Sequence, residues 1–224
     1  MGQGVPVKHI LASALIALLL LAGCGSEKGD HEGFTLGLAA VKSLVAGKTS
    51  PAPPPTYTRA ALDQAAAPVL RARIEKGGTI AFLGVIGEGR GVVTWASVDG
   101  LSLSLRDGVV VATRGMGTDL MSAGAPTAAV LATGSVDQRR HFYLFGGEVE
   151  QERAFDCVLR DAGRERITVI ELAFDTKHRV ETCTGLGGLT FENHYWFDNR
   201  AIIRQSRQWI SPDVGFLELQ NLNR

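Results

Sequence analysis

The apolar positions of this chain change period twice. From residue 10 to 21 they run unbroken, over 34–46 they fall at helical spacing, and from Val69 onward they alternate. The first run is about a dozen residues, roughly 18 Å as a helix against a hydrocarbon core of about 30 Å, so it does not comfortably span a bilayer. With Lys8 ahead of it and Leu21-Ala22-Gly23-Cys24 behind it, it reads as a secretory signal rather than as part of the fold. In the second stretch Leu36, Ala39, Ala40, Val41, Leu44 and Val45 mark one face of an amphipathic helix that Gly47 stops. The prolines between 51 and 55 make an extended spacer. Thr58 can then cap a second short helix running to about Ala66, before Pro68 blocks continuation.

Beyond Pro68 the spacing predicts strands over 69–75, 79–86, 91–98, 141–145, 154–159, 167–172, 180–183, 191–197, 202–208 and 214–219. The clearest signal is a hairpin. Leu101, Leu103 and Leu105 alternate with Ser102, Ser104 and Arg106, and Asp107-Gly108 supplies the positive φ of a tight turn before a β-branched run. Asp198-Asn199 is a second hairpin tip. These patterns predict a mainly β protein, an antiparallel sheet curled into a half-barrel or sandwich with one or two short N-terminal helices packed against it. The expected organisation is a signal over 1–23, a flexible polar tether over 24–33 and one domain over 34–224.

Charge removes one class of partner. With 23 basic and 23 acidic side chains the net charge is zero, and no basic footprint for nucleic acid exists. Cysteine usage sets location. Leu-Ala-Gly-Cys resembles the bacterial lipobox, in which the thiol corresponding to Cys24 is diacylated, the chain is cut before it and the new amino group is acylated. At roughly 0.8 kcal/mol per buried CH₂, several chains anchor a protein stably. Gly25 and Ser26, with no Asp next to the cysteine, resemble enterobacterial lipoproteins sorted to the outer membrane. Cys157 and Cys183 remain as an even pair in an oxidising compartment and are expected to bond, closing a loop of about 25 residues worth roughly 3 kcal/mol. The alternatives are two buried thiols or a zinc site, but neither cysteine belongs to a C-x-x-C pair and His178 lacks further ligands at diagnostic spacing.

The chain contains no Gly-x-Ser-x-Gly elbow, and Gly-Leu-Gly-Gly at 185–188 lacks the Lys-Ser/Thr of a phosphate loop, so it reads as a turn. His141, His178 and His194 lie within or beside expected strands, where a hydrogen-bonded histidine is the ordinary case. Asp156, Glu171, Glu192 and Asp198 show no catalytic spacing. Trp95, Trp196 and Trp209 with Tyr195, Phe197 and Phe216 offer a sugar-stacking face, against the default that aromatics in strands fill a core. Arg114, Arg204 and Arg207 offer contacts to an anionic polymer, against the default that arginines are paired or solvated. No enzyme site, cofactor or metal is called for.

Several ordered blocks carry a family resemblance: Val93-Thr94-Trp95, Asp99-Gly100, residues 105–115 from Leu105 to Gly115, Asp119-Leu120-Met121-Ser122, Tyr195-Trp196-Phe197, residues 206–212 from Ser206 to Pro212, and Gly215-Phe216-Leu217-Glu218. From about residue 36 to 219 the chain resembles the YjbF family of lipoproteins, which includes the group 4 capsule lipoprotein. The resemblance implies a non-enzymatic outer-membrane lipoprotein serving production or export of an extracellular or capsular polysaccharide. It implies a periplasmic accessory protein and an outer-membrane β-barrel as partners, with the membrane reached through the lipid. Trp95, Arg114, Arg207 and Trp209 are the signature positions it singles out, and it carries over no catalytic residue. Two other classes compete: a carrier or docking protein for lipid or lipoprotein, and a polysaccharide-modifying hydrolase using Glu192 and Asp198.

Overall fold

The computed structural model describes residues 57–223 apart from 66, 135–136 and 146–148. The signal, Cys24, the tether, the helix expected over 34–46 and the proline spacer lie outside the described residues. The elements are α1 (Arg59–Asp63), β1 (Val69–Ile74), β2 (Ile80–Gly89), β3 (Val92–Ala96), β4 (Ser102–Arg106), β5 (Val109–Arg114), β6 (Leu120–Gly124), α2 (Ala128–Thr133), β7 (Asp137–Phe145), β8 (Val149–Val169), β9 (Leu172–Gly185), a 3₁₀ turn (Leu186–Gly188), β10 (Thr190–Phe197), β11 (Ile203–Ser211) and β12 (Gly215–Asn221). Thr58 caps α1 as expected, its Oγ1 accepting from Ala61 N at 3.3 Å.

All twelve strands form one antiparallel sheet in the order β5-β4-β3-β2-β1-β12-β11-β10-β9-β8-β7-β6. Strands consecutive in sequence pair with one another except β5 and β6, which are the two edges, and the one long-range pairing is β1 with β12, which places the first and last strands in the middle of the ribbon. The sheet curls until its edges, β5 and β6, lie beside each other, giving a nearly closed barrel-like shape. Alternation decides which face is inside. In β4 Leu103 and Leu105 are buried between half-exposed serines, and in β10 every second residue from Phe191 to Phe197 is buried. The buried set joins Leu83, Leu103, Leu120, Tyr143, Phe155, Trp209, Leu217 and Leu219 in one core.

The edges meet through side chains. Thr113 Oγ1 accepts from Leu120 N at 3.0 Å and donates to Asp119 Oδ1 at 2.9 Å, while Arg114 Nη1 donates to Thr113 O at 2.5 Å and Leu120 O at 3.2 Å. From β11, Gln208 accepts from Val110 N and donates to Gly108 O, both at 2.9 Å, so a buried N–H of edge strand β5 and a carbonyl of the turn before it are satisfied.

The segment 167–172, expected to be one strand, is instead a hairpin tip. β8 continues to Val169, and Ile170 and Glu171 reverse the chain with φ of 40° and 66° into β9. β8 pairs with β7 only as far as Cys157, and β9 pairs with β10 only from Lys177 onward, so the far end of this hairpin is an arm. A register shift between Asp161 and Arg164, with Gly163 at φ 93°, bends it. Ile167, Val169 and Phe174 then pack with Tyr57, Leu62, Val69, Phe82, Trp196 and Leu222 in a second apolar cluster. Arg59 fastens the tip, donating to Leu222 O at 2.7 Å and to the carbonyls of Val169 and Ile170. Of the two expected N-terminal helices only α1 falls among the described residues. β6 and α2, capped by Thr127, were not expected.

Candidate functional site

Trp95 is buried in the core and, with Leu70, Val93, Leu105 and Leu219, lines a hollow of about 190 Å³ near the β2–β3 and β4–β5 tips. Trp209 is also internal. Its ring stacks on Phe191 at 4.5 Å and on His141 at 5.7 Å, and its backbone N–H donates to Asn193 Oδ1 at 2.7 Å. Arg114 belongs to the seam just described. Arg207 lies on the opposite face, flat over Phe216 with its guanidinium carbon 3.3 Å from the ring centroid and bonded through Nε and Nη2 to both oxygens of Glu75. Those bonds hold the Glu75 carboxyl below its ordinary range. The four signature residues thus do not converge: two fill the core, one closes the sheet and one is fixed on its outside.

Cys157 and Cys183 are opposite each other on β8 and β9 and are joined by a disulfide. Glu181 lies within 4.8 Å of both sulfurs, but disulfide-bonded sulfurs have no thiolate to offer a metal. Glu181 instead accepts from Arg139 Nε at 2.8 Å, Asn193 Nδ2 at 2.9 Å and Tyr195 Oη at 3.3 Å, and Arg139 Nη2 donates to Tyr195 Oη at 2.7 Å. Both charges are almost fully buried, and burial first, then the charge of Glu181, against the opposing charge of Arg139, leaves the Tyr195 phenol well above its usual value. Sequence patterning missed this network because its members come from β7, β9 and β10 at interior positions that usually carry apolar residues.

Glu192 accepts from Thr182 Oγ1 at 2.9 Å. Asp198 takes the N–H groups of Arg200 and Ile202 at 2.9 Å and Arg204 Nε at 2.7 Å. Burial would raise its carboxyl, and these donors outweigh burial and hold it below the ordinary range. The two acids are six positions apart at one extended strand and its end, about 20 Å by strand rise, so they do not face each other across a cleft.

The face opposite the core carries the most organised polar surface. Arg71, Gln220, Gln205, Trp196 and His178 are register partners on five consecutive strands, β1, β12, β11, β10 and β9. Two residues along, Arg73, Glu218, Arg207 and His194 form a second row. Within the rows Arg71 Nη1 donates to Gln220 Oε1 at 3.2 Å, Gln220 Nε2 to Gln205 Oε1 at 2.8 Å, and Arg73 Nη1 to Glu218 Oε2 at 2.8 Å. Trp196 stacks on His178 at 4.4 Å and donates Nε1–H to Glu165 of the arm at 2.7 Å. His178 Nε2 and His194 Nδ1 are 3.0 Å apart. Burial foremost lowers both imidazoles, which suits a neutral pair sharing one proton. A trough of about 250 Å³ runs over Arg71, Trp196, Gln205, Arg207, Glu218 and Gln220. Sequence patterning singled out Trp196 and Arg207. It missed Arg71, Gln205 and Gln220, whose alternation marks them as outward but whose register no single strand reveals.

A nearly closed antiparallel sheet with a packed interior and a polar row on its outside defines a β-barrel-like module. The chain belongs to the YjbF family: the family described as "Group 4 capsule polysaccharide lipoprotein gfcB, YjbF" matches residues 36–222. Among solved structures it is similar to the hypothetical lipoprotein YmcC from Escherichia coli (K12), with a TM-score of 0.71 and 16% identity, covering 89% of this chain and 98% of that one. That identity carries the fold alone. No curated protein matches. Family membership supports a role in capsule or related polysaccharide production.

Proposed function

We infer that this chain is a non-enzymatic accessory module of extracellular or capsular polysaccharide production and export, held at the outer membrane by acyl chains on Cys24 and facing the periplasm. The single domain expected over 34–224 works there beside a periplasmic accessory protein and an outer-membrane β-barrel. The observation that carries this reading is the family match over residues 36–222, which includes every strand of the sheet. The lipobox at Cys24 supports the anchoring, and the separation of Glu192 from Asp198 supports a binding role over hydrolysis by that pair.

The test is deletion of the gene followed by measurement of the amount and chain length of surface polysaccharide under inducing conditions. Loss or shortening of polymer, restored by the wild-type gene but less well by Cys24→Ala, is expected. Unchanged amount and length overturn the reading.

A further inference from the structure

The two cross-strand rows have a spacing and a chemistry of their own. Register partners on adjacent strands are about 4.8 Å apart, so the five positions from Arg71 to His178 cover about 19 Å in a line perpendicular to the strands. That step is close to the advance of a polysaccharide chain per sugar. Along the line the groups are a guanidinium, two carboxamides, an indole and the imidazole stacked on it: planar donors and acceptors suited to paired hydroxyls, and an indole ring suited to the C–H face of a pyranose. The row is also pre-ordered. The bonds from Arg71 to Gln220 and from Gln220 to Gln205 fix the side chains, while His178 and Glu165 fix Trp196, so little rotamer freedom is lost when a ligand lands. Among the described residues the amide nitrogen of Gln205 meets no hydrogen-bond partner, which leaves its donors for a ligand oxygen.

Charge narrows the occupant. Arg73 pairs with Glu218, whose charge also acts on Arg71, and Arg207 pairs with Glu75; with Arg71 bonded only to an amide oxygen, three arginines against two glutamates leave one net positive charge beside the trough. Among the described residues the exposed large apolar side chains, Ile80, Val98, Leu144, Val158 and Leu186, all lie off these rows, so these rows lack the apolar centre that protein interfaces bury. We propose that the trough over β1, β12, β11 and β10 binds an acidic polysaccharide laid across the strands, with one sugar stacked on Trp196, hydroxyls on Gln205 and Gln220, and a carboxylate or similar acidic substituent on Arg71. The proposal rests on the accessory role in polysaccharide production and adds to it direct contact with the polymer at a named face.

The test uses the full chain purified from membranes in mild detergent, run by affinity electrophoresis through gels containing the acidic polysaccharide fraction extracted from the producing cells, or neutral dextran. Retardation by the acidic polymer, weakened by added salt, is expected. Arg71→Ala and Gln205→Ala each raise the apparent Kd about tenfold while the protein still melts cooperatively, since both side chains are only half-buried and each gives up one hydrogen bond to Gln220. Absence of retardation, equal retardation by dextran, or variants that bind as the wild type does would each overturn the proposal. Returning the same variants to the deletion strain separates the two readings. If deletion lowers surface polymer and both variants restore it fully, polymer contact at this face falls and the accessory role stands. If deletion changes nothing, the accessory role itself falls.

Discussion

His141 shows how much one residue depends on its surroundings. It is boxed by Phe155, Phe191 and Trp209, and its Nδ1 lies 3.0 Å from Tyr143 Oη, which donates to Ile210 O at 2.5 Å. Since the tyrosine proton is committed to the carbonyl, the network assigns the imidazole proton to Nδ1 and leaves Nε2 as an unprotonated acceptor among rings. Burial first, then the charge of Arg139, lowers this imidazole to about 3. A histidine depressed in the folded state contributes stability that is complete above its unfolded value of about 6.5 and is lost as pH falls toward 3. Thermal melts of His141→Phe should therefore decline less steeply than those of the wild type below about pH 6.5. Part of the decline remains, because His178 and His194 are lowered too. An identical pH dependence in both proteins would refute this assignment. The sequence reveals a strand-borne, hydrogen-bonded histidine here. It does not reveal the box, whose rings come from β8, β10 and β11. Likewise Arg207 stands out in the sequence, while its partner Glu75 is 132 positions away.

At the scale of elements, legibility follows turn chemistry. The β4–β5 hairpin is visible because Asp107 and Gly108 adopt φ of 51° and 87°, conformations that Asp-Gly accepts readily. The β8–β9 reversal is invisible because Ile170-Glu171 carries no such signal, and a β-branched residue at positive φ costs of order 1–3 kcal/mol that the bonds from Arg59 and the packing of Val169 help to offset. The apolar run around it therefore reads as one strand. β6 escapes notice because Leu120-Met121-Ser122-Ala123-Gly124 does not alternate apolar with polar residues, and α2 because the six residues Ala128–Thr133 complete fewer than two turns. Cys157 is also the last residue of β8 paired with β7, so the disulfide sits at the root of the arm. Replacing both cysteines by serine should lower unfolding stability by about 3 kcal/mol in denaturant titrations and speed proteolytic cutting near Gly163. A variant unchanged in both would show that the arm is held by its tip alone.

For the molecule as a whole, the decisive step is the return of β5 to β6 through the short loop 115–119, which period-two spacing does not encode. A mainly β, curled sheet is legible from period-two spacing, but closure depends on Arg114 and Thr113 meeting the backbone of β6 and on Asp119, just ahead of β6, accepting from Thr113. Arg114→Ala should open this seam. Loss of about 1–2 kcal/mol is expected from two hydrogen bonds at an exposed site, together with faster amide exchange at Leu120 and Met121. Unaltered exchange there would assign closure to Gln208 instead. Arg59 carries a mechanical consequence. Its guanidinium joins the chain entering the sheet at Tyr57 to the carbonyls of Val169 and Ile170 at the arm tip and of Leu222 after β12. Tension arriving at Tyr57 is therefore shared with the arm tip and with the chain after β12 before it reaches β1.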